Sequence, residues 1–167
     1  MDLWILAPHT DSNGNMAFMN RMCDISQFVV AVHVLDESSV TLASHFIQHL
    51  LMKFGLYHLV VQNDSTSFKI AFIAMCQAFN LIYNILAKYN HKRLSVELFH
   101  HFLNKNMTIA VKEHDTNNVF VPVGIIAGYA WNNVPINSTD ILRNISAIGR
   151  KLHLPLDINL NTVPMLT

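Results

Sequence analysis

The stretch "FVVAVHVLDESSVTLASHFIQHLLMKFG" (Phe28–Gly55) changes its hydrophobic period halfway, and this change decides the fold class. The run Gln27–Leu35 consists mainly of small and β-branched apolar residues, which is typical of a buried strand. From Val40 to Phe54 the apolar residues recur at helical spacing, and Gly55 supplies a helix stop. A strand followed by a helix of this kind predicts an α/β fold.

Two further strand candidates precede this stretch. Leu3–Ala7 is a short apolar run closed by a proline, and Met16–Cys23 follows after a polar turn. Because short links join these two segments to Gln27–Leu35, the three strands are expected to form an antiparallel meander.

The downstream half alternates strands and helices. Leu56–Val61 and Ile82–Ala87 are predicted strands, and the helical stripe Phe68–Phe79 lies between them. Two more helices are predicted over roughly Leu94–Lys112 and Val119–Asn132, followed by a less regular segment. The order predicts a mixed five-stranded sheet, a three-stranded meander extended by two parallel strands, flanked by helices.

Composition excludes several classes of protein. Hydrophobic residues make up 51% of the 167 residues and charged residues only 13%, which argues against disorder. The 11 basic and 11 acidic side chains cancel, so a strongly basic nucleic-acid binder is not what composition predicts. No apolar run approaches the roughly 20 residues of a membrane span, and no signal peptide is evident. With only two cysteines, we expect a reduced, intracellular protein of the nucleus or cytoplasm with no membrane partner.

Acidic side chains are scarce, so their positions matter. Asp2 begins the first strand, Asn63 and Asp64 follow the fourth, and Glu97 lies on the next long helix. Because the first and fourth strands of such a sheet are commonly neighbours, these side chains are expected to converge, and converging oxygen ligands suit divalent cations. The alternative is structural: Asp64 would cap the helix that follows it and Glu97 would be a solvated helix residue.

Five segments resemble, in the correct order, those of retroviral and gypsy-type retrotransposon integrases. They are "DLWILAP" from Asp2, "RMCDISQFVVAV" from Arg21, "LVVQNDSTSF" (Leu59–Phe68), "NHKRLSVELFHHFLN" (Asn90–Asn104) and "YAWNNVPINSTDILRNISAIGRKLHLPLD" from Tyr129. The resemblance covers nearly the whole chain and implies a ribonuclease-H-like fold. It also implies a Mg²⁺- or Mn²⁺-dependent polynucleotidyl transferase that uses two metal ions to join the ends of a retroelement to target DNA.

The resemblance also assigns the candidate catalytic residues. Asp2 matches the first acid and Glu97 the third, whereas Asn63 stands at the position of the second acid, with Asp64 beside it. The metal ligands expected are Asp2, Asp64 and Glu97, with Asp64 taking part only if the turn shifts by one residue. The family's glycine at the next position is Ser65 here, and a positive φ at a serine would be strained.

An amide at position 63 has a consequence for charge. Asp2 and Glu97 alone offer two negative charges to two dications, and the neutral amide oxygen of Asn63 is a weaker ligand for a hard cation than a carboxylate. Two functions therefore remain open: an integrase-type catalytic core, whether active or decayed, and a catalytically inactive ribonuclease-H-like scaffold that binds nucleic acid or self-associates.

The helix that carries Glu97 also carries the expected contacts with DNA. His101, Asn104 and Lys105 follow Glu97 at helical spacing, while Leu98, Phe99, Phe102 and Leu103 are expected to pack inward. Basic residues also precede this helix, and the full expected set for phosphate contact is Lys88, His91, Lys92, Arg93, His101, Asn104 and Lys105. An ordinary solvated face is the alternative.

Domain organisation and assembly complete the expectations. Residues 1–151 are predicted to form one integrase-like core, and residues 152–167 a C-terminal tail without helical period. The zinc-binding and DNA-binding modules that usually flank such a core are not evident, so affinity for DNA is expected to be weak. The apolar segment Val119–Trp131 is a candidate surface for a homodimer.

Overall fold

The fold was obtained as a computed structural model, which describes residues 1–5, 14, 17–86, 96–114, 120–136 and 139–151. The predicted 152–167 tail and the basic residues Lys88, His91, Lys92 and Arg93 lie outside the described residues. Within the described part, no helix is both long and apolar enough to cross a membrane.

The first three strands form the predicted antiparallel meander. β1 (Asp2–Ile5), β2 (Ala17–Met22) and β3 (Val29–Val34) pair in the order β1-β2-β3. The register places Asp2 opposite Asn20 on the neighbouring strand. Because side chains directly opposite one another lie on the same face of a sheet, Asp2 and Asn20 share a face.

The remaining strands form the predicted parallel pair. β4 (Leu59–Asn63) and β5 (Ile82–Leu86) are aligned with Leu59 opposite Ile82. The Met1 nitrogen donates a hydrogen bond of 2.7 Å to the carbonyl oxygen of Val61, which brings the start of β1 alongside β4. The mixed sheet of the predicted fold, antiparallel strands plus a parallel pair flanked by helices, is confirmed.

The helices on one side of the sheet follow the predicted apolar stripes. α1 (Ser39–Phe46) continues through a π-helical turn (Ile47–Leu51) into the short α2 (Met52–Phe54). Gly55, at φ 81, ends this stretch as expected. α3 (Ala71–Ala78) connects β4 to β5 after a 3-10 turn at Thr66–Phe68.

The other side of the sheet carries the helices α4 (Val96–His114) and α5 (Phe120–Asn132), and a short α6 (Arg143–Ile148) follows. No helix was predicted at α6. Its Arg143 is buried, with the guanidinium 4.3 Å from the centre of the Trp131 ring and a 3.0 Å hydrogen bond to the Val134 carbonyl oxygen. The helix is anchored by a buried arginine that contacts carbonyl groups and an aromatic ring. Because the anchor is not apolar, the sequence shows no apolar stripe at helical spacing here.

Two hydrophobic cores lie on opposite faces of the sheet. Because side chains alternate between the faces along each strand, neighbouring residues of a strand belong to different cores. In β2, Ala17 and Met19 belong to the core shared with α1 and α3, whereas Phe18 belongs to the core shared with α4 and α5. In β1, Leu3 packs towards the first core and Trp4 towards the second. Asp2 is two residues before Trp4, and Asn20 is two residues after Phe18. Because residues two apart in a strand share a face, both lie on the face that α4 covers.

Candidate functional site

The candidate site is built where α4 crosses the face of β1 and β2. Phe99 and Leu103 of α4 are fully buried against Phe18, and Trp4 Nε1 donates a 2.7 Å hydrogen bond to Asn104 Oδ1. These contacts hold the first two turns of α4 over Asp2. The inward packing predicted for Leu98 is wrong, because its side chain is 55% exposed; it lies off the stripe on which Phe99 and Leu103 meet the sheet.

Asp2 and Glu97 are the outer two acids of the predicted set, and they lie at the start of β1 and in the first turn of α4. Burial raises the pKa of Asp2 above its usual range, and the negative charge of Glu97 raises it further. The N–H of Leu3 donates a 2.8 Å hydrogen bond to Asp2 Oδ1 and opposes this shift. The positive charge of the Met1 ammonium also lowers the pKa of Asp2, and the charge of Glu97 is the weakest of these influences.

A histidine that was not among the predicted site residues lies beside Asp2. His100 lies one turn after Glu97, and its Nδ1 is 4.0 Å from Asp2 Oδ2. Its Nε2 is 3.1 Å from the side-chain nitrogen of Asn20, which is 0% exposed. The i, i+3 spacing from Glu97 was the available signal, but the facing partners depend on the β1–β2 register and the docking of α4.

Among the described residues, Asp64, beside the position of the second acid, does not form a metal-holding group with these side chains. The backbone of Asn63 ends β4, opposite Leu86 on β5. Asp64 is exposed and forms an ion pair of 3.3 Å with Lys69. It does not cap the following turn either, because the Ser65 hydroxyl accepts the hydrogen bond from the Ser67 N–H. Ser65 has φ −95, so the positive φ expected to strain this turn is absent.

The expected DNA-contact residues on α4 lie on its solvent side. His101, Asn104 and Lys105 are all exposed. The amide oxygen of Asn104 accepts the hydrogen bond from Trp4, which leaves its nitrogen to face outward. The described part of the predicted basic patch is therefore confined to one helix face.

These residues do not reproduce a two-magnesium site. Within the described ranges, no group of three or more His, Cys, Asp or Glu side chains is placed to hold a metal ion. Asp2 and Glu97 supply two carboxylates, position 63 is an amide, and Asp64 is paired with Lys69. Two dications close together need more negative charge than this set provides.

Burial of His100 predicts a pH-dependent stability. Burial lowers the pKa of His100 from 6.5 to about 4, although the charge of Glu97 opposes this shift. Between these values the unfolded chain binds a proton that the folded chain rejects, so stability falls as pH falls. From pH 7 to pH 5, the native chain should lose about 2 kcal/mol more free energy of unfolding than the variant His100→Gln.

Urea denaturation at both pH values measures this difference. The exposed His58 provides the control, and His58→Gln should keep the pH dependence of the native chain. Equal pH dependence in His100→Gln and the native chain would show that His100 is not held neutral.

Comparison with solved structures identifies the fold. A chain of the simian T-cell lymphotropic virus intasome, solved in complex with a PP2A regulatory subunit, superposes with TM-score 0.72 at 15% identity, over 92% of this chain and 55% of that one. The HTLV-2 integrase catalytic core domain, solved with magnesium in a trimeric form, gives TM-score 0.63 at 13% identity, over 85% and 90% of the two chains. The catalytic core domain of BIV integrase gives 0.64 at 13%, over 89% and 92%.

Sequence comparison adds nothing to this result. No protein-family model matches the chain, and no curated protein matches it. The chain spans about half the length of the intasome chain but most of the two isolated catalytic cores. The fold of this chain is therefore that of the retroviral integrase catalytic core, as its sequence motifs predict.

Proposed function

We propose that this chain is an integrase-type core that binds DNA and whose metal-dependent phosphoryl transfer is weakened by the amide at position 63. The observation that carries the proposal is the likeness of the fold to retroviral integrase catalytic cores, with Asp2 at the start of β1 and Glu97 in the first turn of α4. Two of the three acids of the family pattern are thus retained, and the third has lost its charge.

Different residues of the chain serve cation binding and DNA binding. Asp2 and Glu97 are the residues that would hold a divalent cation such as Mg²⁺ or Mn²⁺, which would act as a Lewis acid on a phosphate oxygen of DNA. The outer face of α4, with His101, Asn104 and Lys105, provides contacts for the phosphates of DNA ends and target. Loss of one carboxylate lowers the attraction for cations and therefore the rate of transfer, without removing the surface that binds DNA.

Self-association is part of the proposal. The inner face of α5 buries Gly124 and Ala127 against the sheet, whereas Ile125 and Ile126 are exposed. Exposed isoleucines side by side are consistent with a helix-mediated homodimer, and the HTLV-2 core, solved in a trimeric form, is a precedent for self-association in general.

A restored carboxylate tests the proposal. Asn63→Asp should raise Mn²⁺-dependent disintegration of a branched DNA substrate by about 100-fold, because each carboxylate of a two-metal site stabilises the transition state by several kcal/mol. The gain should disappear in the double variant Asn63→Asp, Glu97→Gln.

Gln77→Glu is the matched control, because it adds a carboxylate on the exposed side of α3 and should leave the rate unchanged. Absence of activity in both the native chain and Asn63→Asp would sink the catalytic part of the proposal. Retained DNA binding would then favour the inactive scaffold.

A further inference from the structure

Two histidines stack on each other on the side of the sheet away from α4. The rings of His45, in the last turn of α1, and His49, in the π-helical turn, have centres 5.4 Å apart and planes inclined by 18°. Both side chains are partly buried. Because residues four apart lie on one face of a helix, this stack links α1 to the π-helical turn that follows it.

The geometry favours neutral rings. Nδ1 of His45 is buried and has no hydrogen-bond partner among the described residues. Protonation makes both imidazole nitrogens donors, so a charged His45 would bury an N–H without an acceptor, which costs more than an unpaired neutral group. Protonation of both rings would also place like charges 5.4 Å apart.

The charged groups around His45 do not favour its protonation. Burial lowers the pKa of His45, and the nearby His33 of β3 lowers it further, whereas Asp36 raises it. Asp36 is engaged at the start of α1, where its carboxylate accepts hydrogen bonds of 2.7 Å from the Ser38 N–H and 2.9 Å from the Thr41 hydroxyl. The opposing carboxylate therefore already has two donors.

His49 has cationic neighbours. Burial lowers its pKa, and the charges of Lys53 in α2, of His45 and of His33 lower it further. The other helical elements packed on α1 add no charge, since neither α3 nor the 3-10 turn before it contains a charged residue and Cys76 of α3 lies in the core. Both rings of the stack are therefore neutral at pH 7 and gain charge only in acid.

The segment that follows the stack, residues 47–54, has few other anchors. Its π-helical turn buries Leu50 and Leu51, whereas α2 buries none of its three residues. Met52 at the start of α2 is 79% exposed. Segments with few buried contacts open at a lower free energy than the whole fold, so residues 47–54 can open while the rest of the chain stays folded.

We propose that the stacked imidazoles of His45 and His49 form a pH-sensitive lock, which holds residues 47–54 against the core while both rings are neutral and releases them on protonation. In the open segment each histidine binds a proton at its ordinary pKa of about 6.5, so the lock is complete above this pH and weakens as pH falls below it. Release uncovers Leu50 and Leu51. The lock lies on the side of the sheet that carries α1, and it does not rest on the proposed function.

Hydrogen exchange of the intact chain tests the lock. After correction for the pH dependence of the chemical step, the opening equilibrium of amides 47–54 should rise about tenfold or more from pH 7.5 to pH 5.0, because the open segment binds protons that the closed one rejects. At both pH values these amides should exchange faster than the amides of α3.

Substitution of the stack should remove this response. In the double variant His45→Gln, His49→Gln, the rise should fall below about twofold, whereas His58→Gln, at an exposed histidine, should keep it. A titration of the native chain followed by nuclear magnetic resonance needs no variant, and there the imidazoles of His45 and His49 should both show a pKa below about 6.5.

The outcomes decide the proposal separately from the proposed function. A pH response that persists in the double variant overturns the lock, as does exchange of amides 47–54 no faster than that of α3. Titration of both native imidazoles at about 6.5 or above also overturns it. Loss of the response in the double variant alone supports the lock, whether or not Asn63→Asp processes DNA.

Discussion

Replacing Gly124 by alanine should destabilise the protein by about 2 kcal/mol, although alanine is the better helix former by about 1 kcal/mol. A Cβ at Gly124 would clash with Phe18 Cζ and would lie 2.6 Å from Phe18 Cε1. The Phe18 ring is 0% exposed and packs beside Trp4, with ring centres 6.1 Å apart. Because the ring has no free space to enter, α5 must move away from the sheet.

Gly128 provides the matched control one turn later on the same helix. A Cβ there would meet only Ala31 Cβ, at 3.8 Å, which is an ordinary contact. Gly128→Ala should therefore stabilise the protein by up to about 1 kcal/mol. In thermal unfolding, the melting temperatures of the two variants should differ by roughly 6–12 °C.

A second substitution tests whether contact with the Phe18 ring causes the destabilisation. Phe18→Leu shortens the side chain that Gly124→Ala would strike, so the double variant should be more stable than the sum of the single effects predicts. Additive effects, or a stabilised Gly124→Ala, would show that α5 does not approach β2 as closely as described.

Removing the side chain of Asn132 should cost about 3 kcal/mol. Asn132 Oδ1 accepts a 2.8 Å hydrogen bond from the Val29 N–H, and Asn132 Nδ2 donates one of 2.8 Å to the Val29 carbonyl oxygen. At the edge of β3, the Asn132 amide thus pairs with the backbone N–H and C=O of Val29, as a neighbouring strand would. Asn132→Ala would leave both backbone groups buried without partners, because Asn132 is only 5% exposed.

Chemical denaturation measures this loss, and hydrogen exchange locates it. The Val29 amide should exchange faster in Asn132→Ala, while amides in α3 keep their protection relative to global unfolding. Gln77→Ala, on the exposed side of α3, should change stability by less than about 0.5 kcal/mol. If Asn132→Ala also lost less than about 0.5 kcal/mol, the edge of β3 would not depend on this amide.

Hydrophobic periodicity predicted much of the fold, because it is a local property. The meander, the parallel pair and the helices on either side follow from periods of two and 3.6 residues. Gly55 ends its helix as its sequence context indicates. Periodicity missed α6 because that helix is anchored by Arg143 rather than by an apolar stripe.

The candidate site could be predicted only in part. Asp2 and Glu97 were predicted from residue type, order and the family resemblance; the structure places them at the start of β1 and in the first turn of α4, and their catalytic role stays a prediction. The position of the Asp64 side chain could not be predicted, because its ion pair with Lys69 depends on the conformation of the turn at Ser65. His100 was not predicted as a site residue, because its two facing groups come from different strands.

The amino-acid sequence by itself determined which strands and helices form, and it determined the absence of a carboxylate at position 63. Only the tertiary structure decided which polar groups meet. The register that sets Asp2 opposite Asn20 and the docking of Phe99 and Leu103 bring His100 to both. Such contacts join residues distant along the chain, and their geometry follows from packing, whereas secondary structure responds to the side chains of near neighbours.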